Sequence, residues 1–231
     1  MDANQRMLAE DRTSSGFRRI KGPAGSGKSL VLAARAAKLA DEGKSVLVAT
    51  YNITLWHYLR DLVVRALSDA RSYRNIVFVN FHSWCKQVCI DAGWGNRYDD
   101  LWKDGGAGAV LATELPKLAS ASEAADAPRY DAILVDEGQD YQPLWWNTLR
   151  RFLKPGGEML LVADATQDVY GTACAWTEDA MSGAGFRGSW AQLDICYRLP
   201  PAALPLVRDF AARFLPIESS ELPTSTQHTL D

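Results

Sequence analysis

Cysteine and histidine are scarce in this 231-residue chain, which has four of the first and three of the second. Cys85, Cys89, Cys174 and Cys196 contain no Cys-x-x-Cys pair, so their spacing argues against a zinc site and a disulfide framework. The expectation is four reduced, mostly buried thiols. An excess of positive charge is missing too: 25 lysines and arginines stand against 28 aspartates and glutamates, a formal net charge of −3. No global basic field advertises a polyanionic partner, although a local basic face is compatible with an acidic total. No apolar run reaches the length needed to span a bilayer, and the opening MDANQRMLAEDRTSSG lacks the apolar core of a secretory leader. The expectation is a soluble, cytoplasmic protein with no membrane partner. At 47% hydrophobic and 23% charged, the composition is ordinary for a globular chain. Its length suits one sizeable domain, or one domain with a fragment of another.

The order of elements narrows the fold class. FRRIKG (17–22) reads as a short strand entering a glycine-rich turn, and KSLVLAARAAKLADEGK as a helix stopped by Gly43. SVLVAT (45–50) is a continuous apolar, β-branched run, the mark of a strand covered on both faces. ITLWHYLRDLVVRALSDA (helix), NIVFVN (strand) and HSWCKQVCIDAG (helix) continue the rhythm. Residues 93–129, rich in Gly, Asp and small polar residues, read as an insertion with weak, partly mobile helices. YDAILVDE (strand), PLWWNTLRRFLK (helix) and GEMLLVAD (strand) then resume the alternation, followed by AQLDICYR as a further strand and PAALPLVRDFAARFL as a helix. Alternating strands and helices predict a doubly wound α/β domain, a parallel sheet with helices on both faces. The polar tail 217–231 is expected to be disordered.

Chemistry gathers at the predicted strand tips. GPAGSGKS (22–29) satisfies G-x-x-x-x-G-K-[ST] with Gly22, Gly27, Lys28 and Ser29, between a strand and a helix. There the glycines let backbone N–H groups of a loop that includes Ala24, Gly25 and Ser26 cradle phosphate oxygens. Lys28 suits the β- and γ-phosphates and Ser29 suits Mg²⁺. ILVDEGQD (133–140) delivers Asp136 and Glu137 at a strand end, Asp136 as a second Mg²⁺ ligand and Glu137 to polarise an attacking water. LLVADATQDVYG (160–171) carries Asp164, Gln167 and Tyr170, with Gln167 suited to orienting water or sensing the γ-phosphate. LDICYRLP (193–200) offers the ring of Tyr197 and the guanidinium of Arg198, the latter able to stabilise charge on a transferring phosphoryl group.

Taken in order, these motifs resemble the superfamily 1 helicases of the UvrD, Rep and PcrA type, from about Gln5 to Pro200. DANQRMLAE is similar to the family's Q motif, which implies that Gln5 contacts adenine. VATYNITLWHYL and NFHSWC resemble its strand-contacting elements, VDEGQD its DExxQD box, ADATQDVYG its GDxxQxIY segment, and CYRLP the segment whose tyrosine stacks on the base. The resemblance implies a RecA-like ATPase domain using ATP and Mg²⁺, with single-stranded nucleic acid, DNA rather than RNA, along Thr50, Tyr51, Asn52, Phe81, His82, Ser83 and Tyr170. For Phe81 and Tyr51 core packing is the competing reading, and a structural cap is the competing reading for His82. Leu30 stands where the best-known members have an adenine-sandwiching arginine, which leaves Tyr197 to clamp the base from one side.

Only 33 residues follow Arg198, and the later motifs of the family's second domain are absent. The expected layout is therefore a RecA-like domain over 1–190, the start of a truncated second domain over 191–216, and the tail. A second protein or downstream segment would complete the motor. Two other functions stay open: a non-motor, ATP-gated regulatory or nucleic-acid-binding module, and, more remotely, a small-molecule kinase.

Overall fold

The computed structural model describes residues 1–104, 106–122, 127–164, 184–187, 189–214 and 225–226. Six parallel strands form one sheet in the order β3-β2-β4-β5-β1-β6: β1 (Phe17–Lys21), β2 (Val46–Thr50), β3 (Ile76–Asn80), β4 (Tyr130–Val135), β5 (Leu153–Ala163) and β6 (Ala191–Gln192). Helices α1 (Ala3–Glu10), α2 (Lys28–Asp41), α3 (Leu55–Ala66), α4 (Phe81–Asp91) and α5 (Gly95–Asp104) fall in the first half. A single turn α6 (Ala107–Ala109) runs through a π turn (Val110–Glu114) into α7 (Leu115–Ala121), and α8 (Pro143–Arg150) and α9 (Leu204–Phe214) complete the set. This is the expected α/β architecture, a P-loop NTPase fold.

Two cores, one on each face of the sheet, follow from strand periodicity. Along β4, Ile133 and Val135 point into one core while Ala132 and Leu134 point into the other, and β2 splits the same way into Leu47 and Ala49 against Val46 and Val48. The first core takes Phe81, Trp84 and Cys85 from α4, Leu115 and Ala119 from α7, and Trp145, Trp146 and Leu149 from α8. The second is closed by Val31, Leu32, Ala36 and Leu39 of α2, with Leu8 of α1 and Leu59 and Val63 of α3. Burial on both faces is why these strands read as unbroken apolar runs instead of alternating ones.

Several elements depart from expectation. Strand β5 starts at Leu153, earlier than the apolar run, and passes through Pro155, Gly156 and Gly157 with a register shift opposite Tyr130 and Ala132. Helix α8 accordingly ends at Arg150. Within the region 93–129, Gly95–Asp104 and the run 107–121 are helical, with Val110, Leu115 and Ala119 buried. The predicted strand 191–198 is two short bridges, β6 beside β1 and β7 (Ile195–Cys196) beside β8 (Ser225–Thr226). The sheet thus runs one strand past residue 190. Trp146 is fully buried, donates its indole N–H to the Ala184 carbonyl at 2.9 Å and stacks on Phe186. Among the described residues, no helix is long and apolar enough to cross a membrane.

Candidate nucleotide site at the strand tips

Strand order decides what can meet. The glycine-rich turn leaves β1 and the acids leave β4, with β5 lying between them, so three loops converge at one edge of the sheet. Gly25 and Gly27 adopt φ of 79° and 88°, in the left-handed region that glycine tolerates, and Gly27 starts α2 without any side-chain cap. A Cβ on Gly25 would lie 2.6 Å from the Cβ of Arg198, so the loop has no room for a larger residue.

The predicted residues come together here. The Ser29 hydroxyl donates to Asp136 Oδ2 at 3.0 Å. The Lys28 ammonium donates to the carbonyls of Gly22 (2.7 Å) and Pro23 (3.0 Å) and pairs with Asp164 at 3.3 Å. Its three N–H groups are thereby all engaged. Burial pushes the Asp136 carboxyl up to about 7, reinforced by the neighbouring Glu137 charge and opposed by the Ser29 hydrogen bond. Glu137, with φ 54°, is the only non-glycine among the described residues in the left-handed region. Strain of that kind concentrates where side-chain direction matters.

Gln139 was not among the predicted residues, yet it links two of these loops. Its Nε2 donates to Glu137 Oε2 at 2.6 Å, and its Oε1 accepts the Asp164 N–H at 2.9 Å. The chain from Lys28 through Asp164 and Gln139 to Glu137 is continuous, and Gln139 and Asp164 are both buried. The only sequence signal was the glutamine of the DExxQD pattern itself.

Gln5, for which the resemblance implies an adenine contact, braces the loop. Its Nε2 donates to the Ser26 carbonyl at 2.9 Å and its Oε1 accepts the Asp2 N–H, closing a capping box at the start of α1. On the opposite side of the loop, the Tyr197 N–H donates to Gly25 O (2.9 Å) and the Cys196 thiol to Ala24 O (3.2 Å). Arg198 packs against Gly25. Gln167 and Tyr170 lie outside the described residues.

The residues expected along a nucleic-acid strand divide in two. Asn52 and Ser83 are exposed at the tips of β2 and β3, with Tyr51 and His82 half-buried beside them. Thr50 and Phe81 are fully buried, so neither offers a surface, and both are corrected to interior residues. Thr50 donates to Asn52 O at 3.0 Å, and Phe81 stacks on Trp145 with centroids 5.0 Å apart. Tyr51 stacks on the same tryptophan, with centroids 5.7 Å apart. His82 Nε2 lies 3.0 Å from Leu111 O in the π turn, and burial holds its imidazole below the ordinary histidine value. The structural reading of His82 fits that contact.

The residues fit a metal-bound nucleotide. Ser26 Oγ is buried inside the loop with no hydrogen-bond partner among the described residues, and the Ser29 hydroxyl with the Asp136 carboxylate forms a hard-oxygen pair of the kind Mg²⁺ prefers.

Comparison with known proteins agrees with this geometry. A family model described as "AAA domain" matches residues 5–173. The RecBCD enzyme subunit RecB of Mycobacterium tuberculosis, in strains CDC 1551 / Oshkosh and ATCC 25618 / H37Rv, is 39% identical over 64 residues. That match covers 25% of this chain and 6% of the subunit, so the chain corresponds to a small part of these relatives.

Proposed function

The chain belongs to the AAA domain family, and from that premise we propose that it is the ATP-binding part of a helicase-type ATPase of the UvrD, Rep and PcrA kind, acting on single-stranded DNA. The observation that carries the reading is the Ser29–Asp136 hydrogen bond, which puts the last residue of the glycine-rich loop against the acid at the tip of β4.

Bound Mg²⁺ would polarise the terminal phosphate and neutralise charge on it. Around it, the chain's own groups have separate tasks. Ser29 and Asp136 would hold the metal, and Lys28, now on the Gly22 and Pro23 carbonyls, would supply charge to the phosphate oxygens. Glu137, oriented through Gln139, accepts a proton from water. Arg198, beside Gly25, would stabilise charge on the transferring group, and the motif implies a supporting role for Gln167. Asn52, Ser83, Tyr51 and His82 form the polymer-facing tips of β2 and β3, where hydroxyl, amide and aromatic groups suit a sequence-tolerant single strand. Completion of the motor by a second RecA-like domain, downstream or on another protein, belongs to this reading.

The test is ATP hydrolysis by this chain with and without single-stranded DNA or RNA. The expected result is Mg-dependent binding and slow turnover, stimulated more by DNA than by RNA and abolished by Lys28→Ala. Turnover untouched by Lys28→Ala sinks the proposal. One observation favours the non-motor, ATP-gated module: the Glu137 carboxylate is already engaged by Gln139. On that reading ATP binding persists and turnover is absent even with DNA.

A further inference from the structure

Tyr197 is held at both ends. Its backbone N–H donates to Gly25 O of the phosphate loop, and its phenol O–H donates to Asp2 Oδ2 across 195 positions of sequence. Asp2 uses its other oxygen to cap α1, accepting the Gln5 N–H at 2.7 Å. A neighbouring contact fastens the same two segments, Asn4 Nδ2 donating to Gln192 O at 3.0 Å, and Gln5 Nε2 ties α1 to the loop through Ser26 O at 2.9 Å. The start of α1 and the segment 192–197 therefore both hold the loop and each other. Tyr197 stays 36% exposed.

The electrostatics agree with the geometry. Burial pushes the Tyr197 phenol up to about 12, and the Asp2 carboxylate it donates to adds to the rise. Hydrogen bonds from Gln5 and Tyr197 outweigh burial at Asp2 and hold its carboxyl below the ordinary value. At neutral pH the pair is a phenol donating to a carboxylate, the stronger, charge-assisted type of bond.

We propose that Asp2 is a positioning residue for the nucleobase: it anchors the Tyr197 phenol and so presets the ring on which the base stacks. This rests on the nucleotide reading of the site. An aromatic ring on a short loop must be ordered before it can stack, and a ring already fixed avoids that cost on binding. The specificity consequence is that Asp2 governs affinity for the base-bearing part of the ligand, and the loop alone governs the phosphates.

The experiment compares two probes by titration calorimetry in Mg²⁺: the non-hydrolysable ATP analogue AMPPNP, and inorganic tripolyphosphate, which has phosphates and no base. Asp2→Ser keeps an N-cap residue and loses the reach to Tyr197, while Tyr197→Phe keeps the ring and loses the hydroxyl. Each variant is expected to weaken AMPPNP about tenfold. The double variant should be no weaker than either single one, with tripolyphosphate affinity and melting temperature unchanged. The proposal is overturned if both probes weaken together, because the latch then only props the loop. Unchanged AMPPNP affinity, or single effects that multiply in the double variant, overturns it equally. If the unaltered chain binds tripolyphosphate but gains nothing from the base, the latch has no base to position and the idea fails while phosphate binding stands. If it binds neither probe, the nucleotide reading itself has failed, and the latch with it.

Discussion

Asp131 and Asp136 sit at opposite ends of β4, and their surroundings move them in opposite directions. At the N-terminal end, burial would raise the Asp131 carboxyl, but the Lys154 ammonium (2.9 Å) and the Ser45 hydroxyl and N–H (2.7 and 2.8 Å) outweigh it and hold the group at about 2. At the C-terminal end, burial and the adjacent Glu137 charge push Asp136 up to about 7, against the Ser29 hydroxyl, the Glu137 N–H and the Lys28 charge. A second acid, Glu158 in the middle of β5, is also paired. Glu158 receives both Arg35 Nε (2.7 Å) and Arg35 Nη2 (2.6 Å), in a buried two-pronged pair whose third nitrogen reaches the Ala9 and Glu10 carbonyls. One end of the sheet completes its charges internally. The other gathers Asp136, Glu137 and Asp164 around a single lysine whose donors are shared with backbone carbonyls. The raised Asp136 carboxyl is what a site built for a cation and polyphosphate should show.

The sharpest way to break this contrast is Glu137→Gln. The substitution keeps the shape and removes the proton acceptor, so turnover should fall about 10²- to 10⁴-fold while AMPPNP affinity is retained. Single-turnover hydrolysis alongside equilibrium binding separates the two. If turnover survives, the acidic end is not where water is activated.

At the opposite end, Arg35→Met should cost stability instead of chemistry. It leaves Glu158 buried without its main partner, for which about 3–5 kcal/mol is typical. Arg12, 3.5 Å from Glu158 and largely exposed, can recover part of that. Denaturant unfolding should show the loss, and the double variant Arg35→Met/Glu158→Leu should regain more than half of it, since two apolar side chains leave no stranded charge. A double variant no better than the single one would mean that the pair holds α1 chiefly through the Ala9 and Glu10 carbonyls.

Much of this contrast was readable before any coordinates. Strand tips announce themselves where an apolar run ends in Gly-x-x-x-x-Gly-Lys-Ser or Asp-Glu, because the run needs two covered faces and the polar end needs a ligand. The fold and the Lys28–Ser29–Asp136 grouping follow from that alone. Side-chain direction does not. Phe81 and Thr50 have the right chemistry for a nucleic-acid surface, and only the sheet's two-faced packing turns them inward. Asp2 and Tyr197 are far apart in sequence, so nothing local pairs them, although Asp2 three residues before Gln5 does announce a capping box. The breakers Gly105, Gly106 and Gly108 suggested weak structure for 93–129, yet Val110 and Leu115 find a core on α4 and α8, and tertiary packing overrides poor helix propensity.

Asp136→Asn tests the electrostatic half of the comparison without any turnover. The folded-state value, about 7, lies above the ordinary 3.8, so the native state binds this proton more tightly than the unfolded chain does. The penalty of ionising Asp136 is therefore absent below about pH 4, accumulates as pH rises toward 7, and is constant above it. Asparagine cannot ionise and still accepts from Ser29. In metal-free buffer the variant should match the unaltered chain near pH 4 and exceed it above pH 7, by about 1–3 kcal/mol once coupling to Glu137 is allowed for. Thermal melts across that range measure it, and a variant that is destabilised at pH 8 would contradict the raised value.

Asp131→Asn should give the mirror image on a smaller scale. Here the folded value, about 2, lies below the ordinary 3.8, so stabilisation is fully present above about pH 4 and is lost as pH falls through 2. Asparagine keeps an acceptor for the Ser45 N–H but loses the charge that Lys154 faces. Side-chain exposures of 32% for Asp131 and 43% for Lys154 let water and salt screen the pair, which limits the loss to about 0.5–1 kcal/mol at pH 7. The difference between variant and unaltered chain should shrink toward zero near pH 2 and in high salt. The Asp136 effect, set by a fully enclosed group, should keep its size in salt. If both respond to salt alike, the two ends of β4 do not differ in the way their environments imply, and the acidic tip loses its claim to be a site held open for a cation.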